Sequence, residues 1–404
     1  MTDPEPIPRT LAERWRQAGD VAVHASFTVD FRYPIVFTRS VFHPDNGTFA
    51  DLLGGACGGA QRKMLVWIDD GVAGAWPDLR ARVRAYLELR IAHIRLAQEP
   101  SVLPGGEPAK GDLSGLDPLY RQVLRAQLDR HDFIVCVGGG ALLDATGYVA
   151  ATAHRGIRHI RVPTTVLAQN DSGVGVKNGI NAFGCKNFVG AFAPPFAVVN
   201  DADFLRTLGR RDQVAGFAEA VKVALIRDRT FFVWLEDNAV ALAAFETEVV
   251  ETAVRRCAEL HVAHIVGGGD AFERGSARPL DFGHWAAHKL ETMTDHALRH
   301  GEAVAIGIAI DTTYSVACGR LPAQEGLRVI RLLSALGLAT GHAALGRRGA
   351  DGQISLLRGL EEFRQHLGGQ LSITLLDAIG EGVQATAIDE IVLSKICLRM
   401  AAGC

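Results

Sequence analysis

The sequence predicts an α/β fold in two parts: a wound α/β N-terminal domain over residues 1–209 and a mostly α-helical C-terminal domain over residues 210–404. Three observations lead there. Short apolar runs alternate with helix-like stretches in the first half, strand signals fade beyond about residue 210, and a 404-residue chain exceeds the roughly 100 to 200 residues that one core usually serves.

Residues 64–68, 133–137, 157–162 and 196–199 are short apolar runs of strand length, the third with Arg158, His159 and Arg161 among its residues, and are read as buried strands. Between the first two, Leu79, Val83, Leu87, Ile91 and Ile94 recur at helical spacing. Strand, helix, strand order at this spacing argues for a largely parallel sheet, whose ligands bind beyond the carboxyl ends of the strands. Residues 214–226, 246–265, 302–318 and 388–400 read as helices. Residues 100–118 and 345–353 are rich in Gly, Pro or charge and read as loops.

Composition narrows the function classes. With 48% hydrophobic and 22% charged residues and a net charge of -3, the chain is globular, with no electrostatic case for binding nucleic acid or an acidic membrane. No run of about 18 apolar residues and no basic-then-apolar leader occurs, so a soluble, cytoplasmic protein is expected. The seven cysteines are scattered and form no Cys-x-x-Cys pair, so reduced packing thiols are expected.

Several segments carry chemistry. Gly138, Gly139 and Gly140 follow a predicted strand and precede a helix containing Asp144, an arrangement that brings backbone N–H groups to phosphate oxygens or simply makes a tight turn. Asp69 ends another strand, placed either for a ribose hydroxyl or for a strand-ending turn. A glycine-punctuated loop holds Asp171 and Lys177, and Lys186 with Asn187 adds a cation and an amide. Glu219 and Lys222 share a helix face, as an ordinary intrahelical ion pair would. His284 and His288 lie four apart, the spacing of two metal-binding histidines on one helix, and His300 follows. Spacing alone favours His284 and His288 as ligands.

Together these segments resemble 3-dehydroquinate synthase and its sugar phosphate cyclase relatives. The resemblance rests on Gly-Gly-Gly-x-x-x-Asp-x-x-Gly at 138–147, Pro-Thr-Thr-x-Leu-Ala-Gln at 163–169, and Asp171 with Lys177 and Lys186-Asn187. It continues through Gly-x-Ala-Glu-x-x-Lys at 216–222, Phe-Gly-His-x-x-x-His at 282–288 and His-Gly-Glu-Ala-Val at 300–304. It implies Zn2+, with Co2+ as a possible substitute, bound by Glu219, His284 and His300, which leaves His288 as a substrate contact. It implies an NAD site of Asp69, Glu107, Lys110, Gly139, Gly140, Asp144, Thr164 and Thr165, with Lys186 beside them. Asp171, Lys177, Asn187, Lys222 and Asp281 would meet a small sugar phosphate. Arg155 matches an arginine that reaches the phosphate from a neighbouring subunit, so a homodimer is implied.

The departures bear on substrate. The arginine that helps hold the substrate carboxylate in dehydroquinate synthases is Ala277 here, with Arg278 next to it; the family's Asn is Asp281; and expected lysines become His261 and, near the C-terminus, lie around His366. Loss of cations favours a substrate ending in a neutral hydroxymethyl group, sedoheptulose 7-phosphate, and resembles the cyclases that make 2-epi-valiolone. The implied reaction oxidises, eliminates phosphate, re-reduces and closes a carbocycle by aldol addition, without net redox change. Competing expectations are a 3-dehydroquinate synthase, a metal-dependent polyol dehydrogenase and an inactive binding homologue.

Overall fold

The computed structural model describes residues 25–403 apart from 56, 58, 59, 184, 269, 270, 274–278, 367, 368 and 370. Among the described residues, seven parallel strands build one sheet. In spatial order they are β1 (Ile35–Thr38), β9 (Ala197–Asp201), β6 (Arg158–Pro163), β5 (Phe133–Gly138), β2 (Arg62–Asp69) and β3 (Ile94–Leu96), with β4 (Ser101–Leu103) pairing further along β2. The four strands predicted from sequence are the adjacent central ones, β9, β6, β5 and β2. Each is covered on both faces, so β2, β5 and β9 carry apolar runs instead of an alternation, while β6 buries His159 and Arg161 among its apolar residues. The edge strands β1, β3 and β4 are short and half exposed, and give no such signal.

Two expectations change at the sheet. The helix beginning at Leu79 ends at Arg90, so Ile94 belongs to β3 and not to the helix face. The stretch 100–118, read as a loop, contains β4, two 3-10 turns at Glu107–Lys110 and Leu113–Leu116, and the start of helix Asp117–Arg125.

The site is carried at the carboxyl ends of the strands and on the helical half. β5 runs through Gly138 into α1 (Gly140–Thr152). β6 ends at Pro163 and is followed by a π-helix, Ala168–Ser172, and by an antiparallel hairpin of β7 (Lys177–Ala182) and β8 (Cys185–Phe192). Asp171 therefore sits on a π-helical turn, a feature common at functional sites, and not in the irregular loop its glycines suggested.

In the helical half, the predicted helix 214–226 is two helices joined at Gly216, the second being α2 (Phe217–Arg227). Every residue from Phe217 to Ile226 is buried, including Glu219 and Lys222, so α2 is the central rod of this half. Around it lie α3 (Thr247–Gly267), α4 (His284–Met293) and α5 (His300–Ala317). A hairpin of β10 (Ile373–Ala378) with β11 (Glu381–Ala385) lies within the half predicted to be mostly helical.

Arg161 on β6 fixes the backbone that delivers the site's first charged residues. Its guanidinium is wholly buried and donates to the carbonyls of Gly173 (3.1 Å), Gly175 (2.7 Å) and Lys177 (3.3 Å) and to Asn178 Oδ1 (2.7 Å). Gly147 of α1 lies so close to Asn178 that a Cβ there would collide with its amide. Each buried acceptor left without a donor costs about 1–3 kcal/mol. Arg161→Leu should therefore destabilise the protein by at least ~3 kcal/mol in urea unfolding; a loss below ~1 kcal/mol would show that these carbonyls find other donors.

Candidate active site

Two close helix contacts bring the central cluster together. Gly283, at φ 78°, precedes α4 and faces Gly307 of α5 so closely that a Cβ at either would meet the other's backbone. Gly301 at the start of α5 presses likewise on the Ala215 carbonyl, just before α2. The first residues of α4 and α5, His284 and His300, are thereby aimed at Glu219 on α2. His284 Nε2 lies 3.6 Å and His300 Nε2 3.7 Å from Glu219 Oε1.

The orientation of both imidazoles is set from the other side. His284 Nδ1 donates to the Phe282 carbonyl (3.2 Å), and His300 Nδ1 faces Glu291 Oε2 (3.2 Å). Nε2 is the nitrogen each ring presents to Glu219. Asp311 of α5, buried, accepts from Gly283 N–H (2.9 Å) and Trp285 Nε1 (2.9 Å), on either side of His284. Burial pushes the Asp311 carboxyl up to about 7 against these two hydrogen bonds.

Glu219 is 0% exposed, and neither of its oxygens accepts a hydrogen bond; the Lys222 ammonium is its ion-pair partner. One oxygen and two nitrogen ligands within 4.8 Å of one another suit a divalent ion such as zinc and leave coordination positions open. His288, one turn along α4, does not share in this group. Its ring stands edge-on to His284 at 5.5 Å and stacks on His300 at 6.0 Å. The pair favoured by spacing alone, His284 with His288, is thus not the pair that faces Glu219.

Charged residues from four elements converge beside this cluster. Asp171 Oδ1 lies 2.8 Å from His261 Nε2 of α3, whose Nδ1 is 3.1 Å from the Cys257 carbonyl. Burial alone would raise the Asp171 carboxyl, but His261 and Lys222 hold it well below the usual range. Lys177 pairs with Glu273 at 2.6 Å. Crowding works against its charge, and Asp281 and Glu273 outweigh that and hold the ammonium protonated. Burial likewise works against the Lys222 charge, and Glu219 and Asp171 raise it. His284 is pushed well below the ordinary imidazole range by burial and by Lys222, so it is neutral.

The predicted dinucleotide residues form a neighbouring group. Gly139 is the extended residue before α1, and a Cβ on Gly140 would collide with Ser172 of the π-helix. Asp69 ends β2 and accepts from Gly71 N–H (2.9 Å) and Val72 N–H (3.4 Å); Gly105 packs directly on its carboxylate. The turn-forming role of Asp69 is therefore present in the fold, beside Gly138 and Gly139. Lys110 is buried, pairs with Asp144 (2.6 Å) and donates to Asn187 Oδ1 (2.8 Å). Glu107 accepts from Asn181 (2.7 Å), whose Oδ1 receives the Asn187 N–H (2.9 Å). Thr164 is buried, its N–H on the Gly138 carbonyl, and Thr165 Oγ1 accepts from Ala168 N–H. Lys186 reaches Glu291 at 2.5 Å and lies 4.0 Å from Glu107.

Arg155 stands apart from both groups. It occupies an exposed turn after α1 at φ 62° and lines a cavity of about 310 Å³ with Phe31, His159, Phe192 and Pro194. Ala277, Arg278 and Asp270 lie outside the described residues, as does the His366 side chain. Sequence reasoning missed Glu291, Glu273, Asn181, Arg161 and Asp311. Glu291 was within reach: it follows His288 by three residues, on the face of the same helix. The others contact residues far away in the chain and leave no local signal.

A parallel sheet with a glycine-rich turn, followed by a helical half holding a Glu-His-His cluster among lysines, is the frame of NAD- and metal-dependent enzymes of this architecture. Residues 101–215 match the family described as 3-dehydroquinate synthase N-terminal, and residues 216–354 the 3-dehydroquinate synthase C-terminal family. A 3-dehydroquinate synthase of Halorhodospira halophila is 36% identical over 335 residues, 80% of this chain and 92% of that protein. Another, of Nitrobacter hamburgensis, is 33% identical over 372 residues, 89% of this chain and 91% of that protein. Among solved structures, 2-epi-5-epi-valiolone synthase of Streptomyces hygroscopicus, with NAD+ and Zn2+ bound, superposes with a TM-score of 0.83 at 25% identity, covering 95% of this chain and 100% of that one. The chain belongs to the 3-dehydroquinate synthase family. Among the described residues, no helix is long and apolar enough to cross a membrane.

The cluster geometry gives a direct expectation for metal content. His284→Ala and His300→Ala should each abolish stoichiometric zinc after dialysis, measured by emission spectroscopy, whereas His288→Ala should retain it. Retention in the His300 variant with loss in the His288 variant would reverse the assignment.

Proposed function

We propose that this chain is a sugar phosphate cyclase that converts sedoheptulose 7-phosphate to a valiolone-type carbocycle with loss of phosphate. NAD and a divalent metal, zinc or cobalt, serve as its cofactors, with Glu219, His284 and His300 holding the metal. When bound, these supply reversible hydride transfer and polarisation of a substrate hydroxyl. The chain's own groups then orient the substrate: Lys177, Lys222, Asn187 and His288 around the phosphate, and the ionised Asp171 at a sugar hydroxyl. Arg155, exposed and away from the cluster, reaches the partner's site in a homodimer in this reading.

The observation that carries the substrate choice is the charge balance. Each described site lysine already faces a carboxylate: Lys110 with Asp144, Lys177 with Glu273, Lys186 with Glu291 and Lys222 with Glu219. His261 sits against Asp171, and Asp281 adds a further negative charge near Lys177 and Lys222. A phosphate can draw on these lysines. A second anion, the carboxylate of the dehydroquinate precursor, would enter a site already rich in carboxylates. The second reading, 3-dehydroquinate synthase, is favoured by the two bacterial relatives carrying that name at 36% and 33% identity.

The two readings separate in direct competition. With NAD+ and Zn2+ fixed, phosphate release and carbocycle formation from sedoheptulose 7-phosphate should exceed those from the acidic sugar by at least about a hundredfold, since each ~1.4 kcal/mol of lost transition-state binding is tenfold. Preference for the acidic sugar makes the protein a dehydroquinate synthase with Arg278 in the missing arginine's role. Net NADH accumulation without phosphate release makes it a polyol dehydrogenase.

Asp69 sets cofactor choice in this reading, because a carboxylate beside the adenosine ribose repels a 2′-phosphate. Asp69→Asn keeps an acceptor for Gly71 and Val72. It should weaken NAD+ binding and narrow the preference over NADP+ in fluorescence titrations; an unchanged NAD+/NADP+ ratio removes Asp69 from the cofactor site.

A further inference from the structure

A second group of metal-competent side chains adjoins the first and shares a residue with it: His288, Glu291 and His300 present donor atoms within 4.8 Å of one another. Its position suggests a two-metal centre. The Lys186 ammonium argues against one, because it stands 2.5 Å from Glu291 Oε1, where a second cation would need that carboxylate. The group is instead closed by a cation of the protein's own.

What remains is a chain of contacts from the sheet half to the metal cluster. Lys186 extends from β8, in the hairpin that also carries Asn187 and Asn181, which hydrogen-bond Lys110 and Glu107 of the predicted cofactor region. It meets one oxygen of Glu291 on α4, and the other oxygen faces His300 Nδ1 at 3.2 Å. Glu291 is 3% exposed, so its charge must be matched by these two partners.

We propose that Glu291 is the positioning residue of His300. It accepts the Nδ1 proton, fixes Nε2 as the nitrogen turned to Glu219, and is itself held in register by Lys186. Partners of this kind behind metal-bound histidines orient the ring and raise its basicity, and losing one typically costs tenfold to a hundredfold in metal affinity. The contact makes the metal site depend on the β7–β8 hairpin as well as on the three helices that carry its ligands. Glu291 touches no substrate or cofactor in this scheme and acts only through His300.

The inference rests on the metal reading of Glu219, His284 and His300, and the experiment separates the two. Full-length protein stripped of metal is titrated with Co2+, following visible absorption and the dissociation constant by chelator competition. Wild-type protein that fails to bind Co2+ at those three residues overturns the metal reading and, with it, this proposal. Given wild-type binding, Glu291→Leu should weaken Co2+ at least tenfold and alter the absorption envelope. Glu291→Gln, whose amide oxygen can still accept from Nδ1, should recover part of the affinity. The urea midpoint of the metal-free protein is compared in parallel, because a purely structural role would move it without changing the cobalt spectrum.

Lys186→Met probes the same chain from the partly accessible side and does not require the Leu variant to fold. Its effect on Co2+ affinity should be non-additive with that of Glu291→Gln by more than threefold. Wild-type affinity and spectrum in the folded Glu291 variants, or strict additivity in the Lys186/Glu291 pair, would overturn the proposal.

Discussion

A carboxylate with no exposure governs this molecule. Glu219 lies in the middle of α2, in a helix segment buried on every side, and burying an unmatched charge costs several kcal/mol. Lys222, one turn away, matches it in part. A divalent ion, which Glu219 and the Nε2 lone pairs of His284 and His300 could hold together, would match the rest. The close backbone approach of α4 to α5 and of α5 to Ala215 follows from the same need. Ligands at the first turn of two helices reach a central third helix only where glycines let the backbones touch.

A second constraint lies in the backbone after β6. The chain leaves the sheet, makes a π-helical turn and returns as a hairpin, and this excursion supplies Asp171, Lys177, Lys186 and Asn187. Such a path leaves carbonyls without regular partners. Arg161 satisfies those of Gly173, Gly175 and Lys177 from below, while the turn's own amides reach outward: Gln169 donates to the Pro163 and Asp201 carbonyls, and Asn170 to Gly216. Asn170 also ties the turn to the start of α2, so the sheet half and the helical half meet through hydrogen bonds as well as through apolar packing.

Much of the fold was legible because burial on two faces writes itself into composition. Three of the four central strands carry unbroken apolar runs, and the long helices α3 and α5 lie within about two residues of where the sequence put them. Most elements that escaped are half exposed or polar, the short edge strands and the β7–β8 hairpin, whereas β10 is a buried, largely apolar strand that was missed in a half read as helical. In the site, the glycine turn, the lysines and the histidines were visible as residue types at suggestive intervals. The ion-pair partners were not, since Lys186 and Glu291 are 105 positions apart and no local pattern links them.

The sequence by itself determined the succession of a parallel sheet and a helical half, the family, and which glycines, lysines, carboxylates and histidines are candidates for a site. Helix spacing by itself pointed to His288 and the family resemblance to His300; only the tertiary structure decided which ring nitrogen each histidine turns to Glu219 and which carboxylates Lys110, Lys177 and Lys186 meet. The physical reason is one of range. Sequence spacing reports which residues share one face of one helix, whereas this site is assembled from the ends of different helices and strands, and their convergence is fixed by backbone contact between elements far apart in the chain.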